Sequence, residues 1–180
     1  GHTAHNRLPI FAFKPAPVQV SWLGYFATTG LAQIDYIVGD PHVTPLENQS
    51  SFIEKIWQLP ESRWCFTPPN YSINCERLPA LHLKYITFGC FNNYTKLNDT
   101  VVALWAKILN HVSDSRLYLK ANQFEDQTVR EEVIQRFLVY GLDAKRITLE
   151  GFDSREKYFL AYQHVDIALD PFPFTGGTTT

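Results

Sequence analysis

From residue 81 onward the apolar positions alternate between two periods. Ile86 to Phe91 (ITFGCF) is a short, nearly continuous apolar run, the pattern of a strand covered on both faces. Asp99 to His111 places Val101, Val102, Leu104, Trp105, Ile108 and Leu109 at three- and four-residue spacing, a helical stripe. Arg116 to Lys120 (RLYLK) predicts a second strand, and Gln127 to Tyr140 an amphipathic helix with Gly141 at its C′ position. Arg146 to Leu149 follows as a strand, Ser154 to Gln163 as a helix capped by Ser154, and Val165 to Leu169 as a buried strand. Strands and helices in strict succession predict an α/β fold with a doubly wound, Rossmann-like parallel sheet.

The first 80 residues lack that rhythm. Val18 to Leu23 and Ile34 to Val38 predict strands, separated by a loop of small and hydroxylated residues, Gly24 to Gly30 (GYFATTG). Ser50 to Trp57 predicts a short helix, with Ser50 or Ser51 as its cap and Glu54 in its first turn. Pro60, Pro68, Pro69 and Pro79 punctuate a stretch without periodicity, which is expected to be a crossing linker. The chain is therefore expected to divide into residues 1–80 and 81–180.

Composition narrows the classes. An apolar content of 45% with 14% aromatics indicates a packed interior. A net charge of −2 gives no basis for nucleic acid or a membrane surface as partner. No apolar stretch nears the roughly 18 residues of a membrane helix, and no signal peptide is visible. Cys65, Cys75 and Cys90 are too irregular for a zinc site and odd in number for a disulfide framework. They are expected to be reduced thiols of a cytoplasmic protein, with Cys90 in a buried strand. The absence of methionine and the start at Gly1 suggest an excerpt of a longer reading frame, inactive alone.

In a parallel sheet, ligands gather beyond the carboxyl ends of the strands. The segments expected there are FNNYTK, KANQFED, EGFDSRE and DPFPFTGGTTT. In the last, Gly176 and Gly177 permit close backbone approach, and Thr178, Thr179 and Thr180 offer hydroxyls and N–H groups where a helix should begin. That is the chemistry of a phosphate-binding turn. Lys96, at the expected mouth of the helix after FNNYTK, supplies a cation for the same anion, and Asn92 and Asn93 supply amides. Arg155 can stack on a nucleobase and Tyr158 can offer an aromatic face. Each feature also has a plain structural reading: a solvated lysine, a glycine turn, a helix surface. His2 and His5 are candidate general bases, although no carboxylate at fixed spacing orients either. Neither metal-ligand spacing nor a Ser-His-Asp set emerges, and a diphosphate held by lysine and helix ends needs no metal.

The ordered set HTAHNRLPIFAFKPAPVQVSWLGYFATTG, IDYIVGD, QLPES, FGCFNNYTK, LWAKIL, SRLYLK, GFDSRE and LDPFPFTGGTTT resembles the catalytic region of the O-linked N-acetylglucosamine transferase and SPINDLY family. KPAPVQVSWLGY and FNNYTK are its most specific parts, and it covers essentially the whole chain. The resemblance implies a GT-B glycosyltransferase with two Rossmann lobes. Residues 1–80 would close the N-terminal lobe and 81–180 open the C-terminal one. It also implies inverting, metal-independent transfer from a nucleotide diphosphate sugar to Ser or Thr of an acceptor protein, with no cofactor. Repeats that present the acceptor would lie upstream. The donor is expected to be UDP-N-acetylglucosamine, with GDP-fucose (the SPINDLY-like case) or a non-catalytic nucleotide-binding scaffold as alternatives. The family's pyrophosphate lysine falls on Lys96, its neighbouring Gln or Asn on Asn93, and its phosphate-binding threonines on Thr178 and Thr179. Gly177 stands where the family has a histidine. Arg155 and Tyr158 stand where the animal enzymes have a base-stacking lysine and its histidine partner, which leaves the nucleobase open.

Overall fold

A computed structural model of the chain describes residues 2, 5–74 and 76–180. It forms two compact units, Gly1–Pro68 and Pro69–Thr180. Cys75, expected to be a free thiol, lies outside the described residues, whereas Cys65 and Cys90 are unpaired thiols and Cys90 is buried in a strand.

Among its described residues the first unit holds a one-turn helix α1 (Leu8–Phe11) and three strands, β1 (Val20–Ser21), β2 (Tyr36–Gly39) and β3 (Lys55–Gln58), parallel and in that order. Ile34, Ile37 and Ile56 form its buried apolar centre. The helix expected over Ser50 to Trp57 is absent. A 3-10 turn over Leu46–Ser51 leads instead into β3, where Ile56 points inward between the exposed Lys55 and Trp57. Glu54 caps no helix. Its carboxylate is 1% exposed and accepts from the Thr29 N–H at 2.6 Å, the Thr28 hydroxyl at 2.7 Å and the Thr29 hydroxyl.

Burial alone would raise the pKa of Glu54, but the Thr29 and Thr28 donors outweigh it and hold the carboxyl below its ordinary range. Asp40 is likewise depressed against its burial, by the N–H groups of Arg63, Val43 and His42. A depressed carboxyl stabilises the fold above its unfolded pKa of about 4. That contribution is lost as pH falls through the lower folded value. Acid titration followed by tryptophan fluorescence is therefore expected to unfold this unit below about pH 4. Glu54→Gln should lower stability at neutral pH and flatten that acid limb; an unchanged limb would assign acid sensitivity to other groups.

The second unit contains α2 (Ala80–Leu83), β4 (Thr87–Cys90), α3 (Asp99–His111), β5 (Arg116–Lys120), α4 (Gln127–Leu138), β6 (Ile147–Glu150), α5 (Arg155–Leu160) and β7 (Ile167–Ala168). Among the described residues its four strands are all parallel, in the order β6-β5-β4-β7. The α/β alternation read from the sequence is the observed one. Residues before β4 belong to this unit because Asp166 accepts from the Ala80 N–H at 2.9 Å and the Thr87 N–H at 2.8 Å. In addition, Gln163 Nε2 donates to Asn74 O at 3.0 Å.

Asn98 caps α3 by accepting from the Val101 N–H at 3.0 Å. The helix buries Val101, Val102, Trp105, Ala106 and Leu109, while Leu104, counted in the expected stripe, is 43% exposed. These side chains and Val133 and Phe137 of α4 cover Phe88, Cys90, Leu117 and Leu119 of the sheet. Chain reversal after α4 rests on Gly141, whose φ of +77° suits a residue without Cβ. The predicted helix from Ser154 is α5 continued by a 3-10 turn over Ala161–His164. The strand expected over Val165 to Leu169 is reduced to β7, two residues paired with β4, and among the described residues Ile167 is 46% exposed rather than buried. Among the described residues, no helix is long and apolar enough to cross a membrane.

Candidate functional site

Because β4 to β7 run in parallel, the segments that leave them emerge along one edge of the sheet. The segment after β4 is anchored on both sides of Lys96. Arg136 of α4 donates to the Tyr94 hydroxyl at 3.0 Å and pairs with Asp99 at 2.9 Å, and Leu97 is buried. Asn98 Nδ2 donates to Phe172 O at 2.7 Å, linking this segment to the one after β7. Lys96 itself closes a 3-10 turn, Tyr94–Lys96, and α3 begins only at Asp99. The expected seat at a helix mouth is thus corrected: Asn98 caps that helix end and acidic Asp99 occupies its first turn.

The Lys96 ammonium donates to Asn92 Oδ1 and to Thr175 O, each at 2.9 Å, and lies 4.7 Å from the centre of the Phe174 ring. The lysine after β4 and the glycine–threonine turn after β7 therefore meet. Gly176 donates its N–H to Asp170 Oδ1 at 2.7 Å, and a Cβ there would lie 2.0 Å from Thr180 Oγ1 and 3.0 Å from Asn92 Nδ2. A side chain at this position would force the Thr180 hydroxyl to move and press on the Asn92 amide. The helix expected to begin at Thr178 to Thr180 is represented by a single turn, in which the Thr180 N–H donates to Gly177 O at 3.1 Å. The Tyr162 hydroxyl donates to Thr179 O at 3.1 Å, while Thr178 and Thr180 are exposed.

The other expected residues separate into groups. Asn93 caps the Tyr94–Lys96 turn, its Oδ1 accepting from the Thr95 N–H at 3.0 Å and from Gln123 Nε2 at 2.8 Å. Together with Phe91, Lys120, Gln123 and Tyr158 it lines a cleft of about 240 Å³. Tyr158 stands edge-on to Phe91 at 5.7 Å and donates to Phe91 O at 3.3 Å, so the ring is half packed and half available. Arg155 is exposed, with its guanidinium 5.7 Å from the Phe159 ring, and is not among the residues lining that cleft. His2 belongs to the first unit, exposed, with Nε2 at 2.8 Å from Thr28 O. His5 is exposed as well. Among the described residues, no group of three or more His, Cys, Asp or Glu side chains is placed to hold a metal ion.

Two polar groups at this edge, Lys120 and Asp170, carried no expected role in the site. Lys120 is 1% exposed, yet its ammonium pairs with Asp153 at 2.6 Å and Glu150 at 3.1 Å. Burial lowers its pKa, but the bonds to Asp153 and Glu150 prevail and raise it above the usual lysine value. A lysine closing the apolar run RLYLK was the available signal. Asn92, expected as a turn residue or ligand donor, is 6% exposed and joins Lys96 to Asp170.

Comparison with known proteins bears on this geometry. Residues 1–66 match glycosyl transferase family 41. The chain is 40% identical, over its full length and 20% of the relative, to a protein of Eustoma exaltatum subsp. russellianum. That relative is named a probable UDP-N-acetylglucosamine–peptide N-acetylglucosaminyltransferase SPINDLY. Against a protein of Arabidopsis thaliana carrying the same activity name with the designation SEC, it is 35% identical over 66% of this chain and 13% of that one. Among solved structures, a mutant O-GlcNAc transferase of Thermobaculum terrenum superposes with a TM-score of 0.84 at 31% identity. That match covers 94% of this chain and 32% of the other. The α/β, GT-B-type fold expected from the motifs is the fold so matched. The chain spans about a fifth of the length of its full-length SPINDLY relative.

Proposed function

The chain belongs to glycosyl transferase family 41, and on that footing we propose that it carries part of the donor site of a protein O-glycosyltransferase. The donor is UDP-N-acetylglucosamine and the acceptor a Ser or Thr hydroxyl of a protein. The observation that carries this reading is the meeting of the Lys96 ammonium with the Thr175–Thr180 turn, 2.9 Å from Thr175 O, at the carboxyl edge of a parallel sheet. A fixed cation beside a turn of glycines and threonines matches the charge and shape of a diphosphate leaving group.

In the proposed reaction the acceptor oxygen attacks the anomeric carbon with inversion, and the bond from that carbon to the diphosphate oxygen breaks. Lys96 stabilises the negative charge that develops on the departing nucleoside diphosphate, so no metal is required. Thr178, Thr179 and Thr180 supply hydroxyls to the phosphates, and Gly177 leaves room for backbone to approach them. Asn93 and Tyr158 line the neighbouring cleft, suited to the nucleoside, with Arg155 at the start of α5 to cover the base. His2 takes the proton of the attacking hydroxyl. Thr28 O can only accept, so the bond to it places a proton on Nε2 and leaves Nδ1 as the basic nitrogen. In this reading Gly1–Pro68 comes from the N-terminal lobe and Pro69–Thr180 from the C-terminal lobe. Free thiols at Cys65 and Cys90 suit a reducing, cytoplasmic setting.

The test is transfer by the full-length protein to a Ser/Thr-containing acceptor protein, read by intact mass with UDP-N-acetylglucosamine and with GDP-fucose, with and without chelator. An added N-acetylhexosamine, insensitive to chelator, is the expected result. An added deoxyhexose from GDP-fucose would replace the donor, and binding without transfer from either would leave only a nucleotide-binding scaffold.

A further inference from the structure

We propose that Asn92 and Asp170 form a relay that aims the Lys96 ammonium, a positioning role that rests on the reading of Lys96 given above. A carboxylate only accepts. Asp170 Oδ1 receives Asn92 Nδ2 at 3.2 Å and the Gly176 N–H at 2.7 Å. That arrangement settles which way the Asn92 amide points. Its NH2 faces Asp170, so its carbonyl oxygen faces Lys96 at 2.9 Å. A reversed amide would set two N–H donors against an ammonium and its carbonyl against a carboxylate. Asn92 is 6% exposed, so water is poorly placed to rescue the reversed state.

An ammonium has three N–H donors. Asn92 Oδ1 and Thr175 O each take one, which fixes the direction of the third. Both acceptors are tied to the same turn, because Asp170 holds Gly176, the residue after Thr175. The relay thus couples the cation after β4 to the turn after β7, so that both present themselves to one ligand. Neither Asn92 nor Asp170 has to touch the substrate. Asp170 acts through Asn92, and Asn92 through Lys96.

A relay that merely staples two strand ends would affect stability but not depend on Lys96. A double-mutant cycle separates the cases. In the full-length protein, Asn92→Ala is expected to lower kcat about 100-fold, the scale of a misplacement of about 1 Å, with a smaller change in the donor KM. In a Lys96→Ala background the same substitution should cause no further loss. Asp170→Asn, which keeps shape but frees the amide to reverse, should behave likewise and serves if Asn92→Ala does not fold. Undiminished kcat in both variants, with Lys96→Ala crippled, overturns the relay and leaves the lysine in place. Losses that multiply with that of Lys96→Ala reduce the relay to a staple and overturn it as well. Normal turnover in Lys96→Ala defeats the underlying reading of the lysine instead.

Discussion

Lys96→Ala in the full-length protein is expected to reduce kcat by about 100- to 1,000-fold, the loss typical when one fixed donor to developing charge is removed. The melting temperature should move little. Lys96 lies outside the apolar cluster that α3 and α4 build, and its removal leaves two neutral acceptors short of a partner: Thr175 O, on an exposed residue where water can replace the ammonium, and Asn92 Oδ1. That deficit is worth about 1–3 kcal/mol if water cannot reach the atom, and less as water enters the space the side chain vacates. The diagnostic is the split between parameters. A group that acts on the leaving diphosphate in the transition state depresses kcat and kcat/KM together, whereas a group that only binds the donor raises KM. Turnover equal to the wild type would take Lys96 out of the reaction.

The opposite profile is expected from Trp105→Ala. Trp105 is 2% exposed in the middle of α3, packed within the cluster that includes Phe88, Leu117 and Phe137. Replacing a buried tryptophan with alanine costs about 3–5 kcal/mol, from lost transfer energy and the cavity left behind. That is a large share of the roughly 5–15 kcal/mol that holds a typical domain together. Thermal unfolding followed by circular dichroism should shift sharply downward, and activity should fall with the folded fraction rather than with altered KM. A variant that melts as the wild type would mean that this helix face is not the core of the second unit.

How much of this was legible beforehand depended on the range of the interactions. The stripe Val101, Val102, Trp105 and Leu109 repeats at helical spacing, and α3 occupies Asp99–His111, as that spacing predicts. RLYLK is apolar between its terminal charges, and β5 occupies Arg116–Lys120. In both, the deciding force is burial of one continuous face, which is written locally. Ser51 followed three residues later by Glu54 carries the same local signature as a capping box, and there it misled. Glu54 bonds to Thr28 and Thr29, about 25 residues upstream, and the chain beyond it pairs with β2 as a strand. Val165 to Leu169 looked like an interior strand because it is apolar. Among the described residues the pairing reaches Ile167 and Ala168, beside Phe88 and Gly89 of β4, and Ile167 is 46% exposed.

By itself the sequence determined the alternation of strands and helices, the parallel sheet that follows from it, and which segments lie at the strand ends where a ligand would bind. Those features arise from periodic burial and from glycine and proline chemistry, which act over a few residues. Only the tertiary structure decided that Lys96 reaches the turn after β7, and that Asn92 and Asp170 stand between them. Those contacts join residues 78 and 79 positions apart, and their existence depends on the register by which Phe88 lies beside Ile167 in neighbouring strands. Hydrogen bonds between distant side chains leave no periodic trace along a chain; they exist only once the sheet has brought its strand ends together.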